Sequence, residues 1–354
     1  MTNHGANLYD LSKEFGISKT EFLDFSSNIN PLGASKLAKK HLVENIDLVS
    51  IYPDVEYKNL KNSISSYCNC KTENIILGSG ATELISSFIK TLNPKKSLLL
   101  TPAYSEYEKE LNKINSKITK LAAKKENLFK VDINDVIKYG KKHDLIIICN
   151  PNNPTGFAFT KDEIEILLKN TNSMVMIDET YIEFTNKNKY QATELVNDYE
   201  NLFVIRGTSK FFSTPGIRLG YGLISNDIIK NKINDNLDLW NINIFASVMG
   251  EIMFKDEDFI KNSFELINTQ RNYFINELSK FKDLEYFDSN GNFILCNIKN
   301  GMSASKLREI LLPKKIIIRD CSSFEGLDDS FFRFCMLNKK DNELLINSLK
   351  EIFI

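Results

Sequence analysis

From Asn74 to Ile224, short unbroken apolar runs alternate with stretches whose apolar residues recur every three or four positions. The runs are Ile75–Leu77, Leu98–Leu100, Leu145–Cys149, Met174–Ile177 and Leu202–Ile205, with Leu219–Ile224 as a continuation. Between the first two, GSGATELISSFIKTL sets Leu84, Ile85, Phe88, Ile89 and Leu92 on one helical face. Runs apolar at every position read as strands buried on both sides, and their alternation with helices implies a largely parallel sheet wound by helices. The fold class is therefore α/β.

The flanks read differently. Residues 1–35 look like an arm: His4, an amphipathic piece (Leu8, Leu11, Phe15), the strand-like LDF, then the turn-rich SSNINPLG. A helix is expected over 35–45, a break at the YPD of 52–54, and a second helix over 57–67 with Leu60, Ile64 and Tyr67 on one face. Beyond residue 226 the pattern predicts a long helix over 256–281, strands at 292–298, 316–319 and 331–336, and a final helix. Three regions follow: an N-terminal arm (1–35) packing with the smaller domain, a large domain (36–225), and a smaller C-terminal α/β domain (226–354).

Composition narrows the function classes. Forty-five Lys and Arg are balanced by 46 Asp and Glu, which argues against nucleic acid as the main partner. No apolar run is long enough to span a bilayer, and the N-terminus has neither the apolar core nor the cleavage site of a signal peptide. The six cysteines have no disulfide-framework or metal-site spacing, so a reducing cytoplasm is the expected setting and no metal is expected.

The candidate chemistry sits where these strands end, which is where open parallel sheets collect ligands. Gly78-Ser79-Gly80-Ala81-Thr82 opens a helix, whose free N–H groups suit a phosphate. Tyr104 follows one strand; Asn153 lies in NPNNPTG after the next. Asp178 ends MVMID, and a carboxylate at a buried strand end needs a cationic partner; Tyr181 follows three residues on. In TSKFFSTPGIRLGYG, Lys210 comes just after a strand, with Arg218 eight residues later between Gly216 and Gly220. A lysine that forms an imine with an aldehyde needs a fixed place and a cationic neighbour that keeps its amine neutral. Singly, these clusters also fit a glycine turn, an Asn-Pro turn, a helix cap and a surface lysine. Their joint order is specific.

That order, GSGAT, PAY, NPNNPTG, MIDETY and TSK–GIRLG, resembles the fold-type I pyridoxal 5′-phosphate (PLP) enzymes of aminotransferase class I and II over nearly the whole chain. The resemblance implies an aminotransferase-like homodimer in which Lys210 carries the coenzyme and Asp178 pairs with its pyridine nitrogen. It puts Asn153 and Tyr181 on the ring oxygen and Tyr104 on the ring face. Gly80, Ala81, Thr82, Ser209 and Arg218 would hold the phosphate, with Tyr52 of IYPD reaching the partner subunit's phosphate. Gly207 departs from the pattern, standing where relatives commonly have a hydroxyl residue; Thr208 or Ser209 would replace it.

PLP fixes the electron sink, and the substrate contacts choose the bond that breaks. Arg333, in FFRFCML, and Arg319, in IIIRDC, each end an apolar strand; an amino acid needs one such cation, and a second suggests another anion. NHGANLYDLSKEFGI followed by LDFSSNINPLG, together with EGLD before FFR, is similar to the threonine-phosphate decarboxylases of cobalamin biosynthesis, with Ala6 in place of a second glycine. By that resemblance His4, Asn28 and Arg319 contact a substrate phosphate and Arg333 a carboxylate, Asn153 also facing the substrate. The chain would then be a lyase acting on a small phosphorylated amino acid. Histidinol-phosphate aminotransferase, a transferase, shares the fold and coenzyme set and stays open as the alternative. A PLP-binding regulator that lost turnover fits less well, because nothing basic or helix-turn-helix-like precedes residue 24.

Overall fold

A computed structural model describes residues 8–354. Three groups of strands organise it. β1 is Leu23–Asp24, β2 Ile75–Gly78, β3 Lys96–Thr101, β4 Lys117–Ala122, β5 Leu145–Cys149, β6 Met174–Asp178, β7 Leu202–Gly207 and β8 Gly220–Leu223. In the C-terminal part, β9 is Leu284–Tyr286, β10 Phe293–Ile298, β11 Ile316–Ile317, β12 Arg319–Asp320 and β13 Phe331–Cys335.

The large sheet has the order β2-β8-β7-β6-β5-β3-β4, parallel except for β8, which runs antiparallel to both neighbours. The apolar runs work as read: along β5 every residue is buried, with Ile146 and Ile148 in one core and Leu145, Ile147 and Cys149 in the other. Period-two alternation thus sends one short run into two hydrophobic layers. Helix Ala81–Leu92 covers the second layer through Leu84, Ile85, Phe88 and Ile89. β4, KITKLA, was not expected as a strand. Its side chains are half-buried or exposed because it closes the sheet edge, and edge lysines there discourage pairing with another chain.

The smaller sheet, β12-β13-β10-β9, is antiparallel throughout. The expected strand at 316–319 divides around Ile318: Ile316–Ile317 pairs in parallel with β1, and Arg319–Asp320 pairs with β13. The arm is thereby bound to the C-terminal part, with Cys335 N–H also donating to the Phe25 carbonyl (2.8 Å). Helices Asp227–Asn236 and Ile244–Met253, within the expected C-terminal domain, pack instead on Ala81–Leu92, Lys36–Glu44 and Lys58–Cys68. Helix Glu257–Leu278 is the first to reach the small sheet, through β9. All six cysteines are buried and unpaired. No helix among the described residues is long and apolar enough to cross a membrane.

Candidate active site

β2, β6 and β7 end at one cleft of about 340 Å³, lined by Ala81, Thr82, Tyr104, Asn153, Asp178, Tyr181, Ser209, Lys210, Arg218, Arg319 and Arg333 among others. Eleven positions selected from sequence therefore meet in one cavity. His4 lies outside the described residues.

At one end of the cleft, Gly80 caps helix Ala81–Leu92 at φ +89°, leaving the first helical N–H groups without intrahelical partners. A Cβ on Gly80 would collide with the Arg218 guanidinium, and one on Gly220 with the Gly80–Ala81 backbone. The two glycines let a cation, a helix start and a strand close into one small cradle. Arg218 itself sits at φ +57° and donates to the Pro215 carbonyl (3.1 Å). Gly207 lines this end too. Thr208 does not: its buried hydroxyl donates to the Leu219 carbonyl (3.1 Å) and meets the Thr214 hydroxyl (2.9 Å). Of the two hydroxyls expected to replace the one missing at Gly207, only Ser209 lines the cleft.

Deeper in, Asp178 is buried at the end of β6. Its Oδ1 accepts from the Thr180 N–H (2.9 Å) and hydroxyl, and its Oδ2 from the Tyr107 hydroxyl (2.6 Å). Burial pushes its pKa up, with the Thr180 and Tyr107 donors opposing. Among the described residues no lysine or arginine makes an ion pair with it, which leaves this carboxylate able to take a cation from a ligand in the cleft. The next residue, Glu179, is fully buried and receives a fork of bonds from Arg206 of β7 (2.9 and 2.7 Å). This pair ties the ends of β6 and β7 together and fixes Asp178 relative to the Lys210 turn.

Lys210 Nζ donates to the Ser27 carbonyl of the arm (2.6 Å). Burial, then the charges of Arg333 and Arg218, pull its pKa down to about 8. Arg333 is buried; its guanidinium donates to the Ser26 carbonyl (2.7 Å) and to Asn153 Oδ1, and lies 5.2 Å over the Phe293 ring. Its Nε has no partner among the described residues. Arg319 faces Arg333 in register across β12 and β13, bonds to the Ser323 hydroxyl (3.0 Å) and packs over Phe324.

Two expected residues lie elsewhere. Asn28, expected on a substrate phosphate, is buried at φ +58° with its amide donating to the Tyr181 hydroxyl (3.3 Å), while its neighbours Ser26 and Ser27 line the cleft. It sits in a left-handed turn of the arm, and its side chain is taken up by the Tyr181 hydroxyl. Tyr52 is 76% exposed, stacks on Trp240 (4.4 Å, 25°) and is absent from the cleft of its own chain. Sequence reading missed Tyr107, Thr180, Cys149 and Phe324, all of which line the cleft. Two had a signal: Thr180 is Asp-x-Thr, a local side-chain turn, and Tyr107 is one helical turn beyond Tyr104.

Residues 20–349 match the model of the family described as aminotransferase class I and II, and the chain belongs to that family of PLP-dependent, fold-type I enzymes. A Caldanaerobacter subterraneus subsp. tengcongensis protein provisionally named threonine-phosphate decarboxylase is 39% identical over 99% of this chain and 94% of its own length. Histidinol-phosphate aminotransferase of Methanosphaera stadtmanae is 31% identical over 98% and 95% respectively. The crystal structure of histidinol-phosphate aminotransferase from Clostridium acetobutylicum superposes with a TM-score of 0.88 at 37% identity, covering 93% of this chain and 98% of that one. The cavity fits PLP on its own evidence: a glycine-lined cradle with a cation for a phosphate, and a buried carboxylate lacking a cation for a pyridinium.

Proposed function

We propose that the chain decarboxylates L-threonine O-phosphate to aminopropanol phosphate, as a cytoplasmic homodimer acting on this small phosphorylated amino acid. The observation that carries the reading is the pairing of Arg319 with Arg333 in the cleft that holds Lys210. Threonine phosphate offers a phosphate to one cation and a carboxylate to the other. Histidinol phosphate has a phosphate and no carboxylate, so in an aminotransferase the second arginine would serve only the carboxylates of the oxoacid. The likeness to the Caldanaerobacter protein points the same way.

In this reading Asp178 meets the pyridine nitrogen, Asn153 and Tyr181 the ring oxygen, and Tyr104 the ring face. The helix start at Ala81 and Thr82, with Ser209 and Arg218, holds the phosphate. When bound, PLP supplies the electron sink for the pair left at Cα. Arg319 would hold the substrate phosphate and Arg333 would use its free Nε–H on the carboxylate, together fixing the orientation of the substrate in the cleft. Loss of CO₂ leaves Cα one proton short. Lys210, with a pKa brought to about 8, holds and delivers that proton near neutral pH. Tyr52, exposed like its chain neighbours Val49, Ile51 and Val55, would reach the partner subunit's coenzyme phosphate.

Histidinol-phosphate aminotransferase is the second reading, favoured by the 37% identity to the Clostridium structure. The deciding experiment incubates PLP-loaded protein with threonine phosphate, with and without 2-oxoglutarate. CO₂ release without the oxoacid is expected. A strict oxoacid requirement with glutamate formed would make the chain an aminotransferase.

A further inference from the structure

We propose that Tyr107 is a positioning residue of the coenzyme site: its hydroxyl holds Asp178 and its ring holds Tyr104, so both groups offered to a flat heteroaromatic ring move as one unit. The inference rests on the coenzyme contacts proposed above and adds a residue that none of the sequence motifs contains.

Tyr107 sits in the first turn of helix Ser105–Lys113, three residues after Tyr104, where the helix brings the two side chains together. It is 1% exposed, yet it borders the cleft. Its hydroxyl donates to Asp178 Oδ2 at 2.6 Å, and its ring meets that of Tyr104 edge to face, 5.7 Å between centroids and 90° between planes. The other oxygen of Asp178 is held from the opposite side by Thr180. With donors on both oxygens the carboxylate cannot turn about its own axis, and one acceptor direction stays fixed toward the cleft. Packing alone does not account for this arrangement. A phenylalanine would fill the same space without a buried hydroxyl, which costs free energy unless paired. Here its partner is the very carboxylate left without a cation. Burial, reinforced by the Asp178 charge, pushes the phenol well above its ordinary range, so it remains a donor near neutral pH.

The same side chain therefore couples an edge contact to a face contact. Removing the hydroxyl alone should free the carboxylate while leaving the Tyr104 buttress in place.

The test is a double-mutant cycle read as the dissociation constant of PLP from the apoprotein, using Tyr107→Phe, Asp178→Asn and the pair. Tyr107→Phe is expected to weaken PLP binding by about tenfold, the scale of one hydrogen bond to a charged group. It should also lower kcat while leaving KM for the substrate unchanged. In the Asp178→Asn background the further loss should be under about twofold, because the partner it acts through is gone. Equal losses in both backgrounds would make Tyr107 a packing residue and overturn the proposal, as would no loss in the parent. Should the phenylalanine form be insoluble, Tyr107→Met, which has no hydrogen-bond donor, enters the same cycle, and only the part of its loss that disappears in the Asp178→Asn background counts for the hydrogen bond. If Asp178→Asn itself leaves PLP affinity unchanged, the coenzyme contacts proposed for this end fail and Tyr107 fails with them. If Asp178→Asn weakens binding and Tyr107→Phe does not, only the role of Tyr107 falls.

Discussion

The two ends of the cleft are built in opposite ways. At the coenzyme end, the motifs carry part of their own geometry: Asp178 is held by Thr180 two residues on, and Gly80 adjoins the helix start it caps, with Tyr107 and Arg218 arriving from further along the chain. At the substrate end, Arg333 is held by the Ser26 carbonyl, 307 residues away, and by Asn153, 180 residues away. One end depends on the termini of adjacent strands in one sheet. The other exists only after the arm, the large sheet and the small sheet have met. Damage to the first end should strike the chemistry, and damage to the second should strike substrate recognition.

The largest effect tests whether the chemistry has one centre. Lys210→Ala should abolish turnover and the coenzyme's visible absorption while leaving the far-ultraviolet circular dichroism unchanged; retained turnover would disprove the assignment. Asp178→Asn comes next. Losing a buried charge partner costs about 3–5 kcal/mol, so turnover should fall by a factor of roughly 10²–10⁴, with weaker coenzyme binding.

The arginines sharpen the contrast. Arg319→Gln and Arg333→Gln should each raise KM for threonine phosphate by about 10–100-fold, the value of a charge-assisted contact, and in Arg319→Gln coenzyme affinity should hold. They should differ in pH behaviour. The Lys210 amine is protonated below its pKa and cannot attack an aldehyde, so PLP attachment to the apoprotein should speed up as pH rises through about 8. Arg333 is the first charge, after burial, that disfavours the ammonium form. Removing it stabilises that form, and the midpoint of attachment should move to higher pH. Arg319 is not among the leading charges that shift Lys210, so its variant should move the midpoint less. A common shift in both variants would break the distinction.

The same contrast explains what could be read from sequence. The parallel sheet and its strand ends were legible because runs such as LIIIC leave one way to be buried on both sides. The coenzyme motifs were legible because their geometry is local. Asn28 was harder, since its bond to the Tyr181 hydroxyl depends on a left-handed arm residue and a contact 153 residues away. The split of 316–319 into β11 and β12 was invisible for a related reason: one apolar run serves two partner strands, and periodicity does not name partners. Tyr107 reads as a core tyrosine until β6 is set beside its helix. Locality of the contact, more than strength of the motif, decided what was legible.

The smallest expected effect concerns Gly207, the one position at the coenzyme end where the resemblance leads to a hydroxyl and this chain has none. Its backbone is not in the left-handed region, so a side chain brings no strain of that kind. An added Cβ would lie 3.4 Å from the Ala81 Cβ and 3.9 Å from the Ala81 nitrogen, within ordinary contact of the helix start that borders the cradle. Gly207→Ser should therefore place a hydroxyl where it can meet the coenzyme phosphate. One such bond is worth about 1.5–3 kcal/mol before rotamer entropy is subtracted, so a gain of about 3–10-fold in PLP affinity is expected. The Leu219 carbonyl, also 3.9 Å from that Cβ, already accepts from Thr208 and is the competing acceptor. Gly207→Ala separates the outcomes, since it adds the Cβ without the hydroxyl. Tighter binding for serine alone means the cradle was one donor short, and equal binding for both means Ser209, Arg218 and the helix start already complete it.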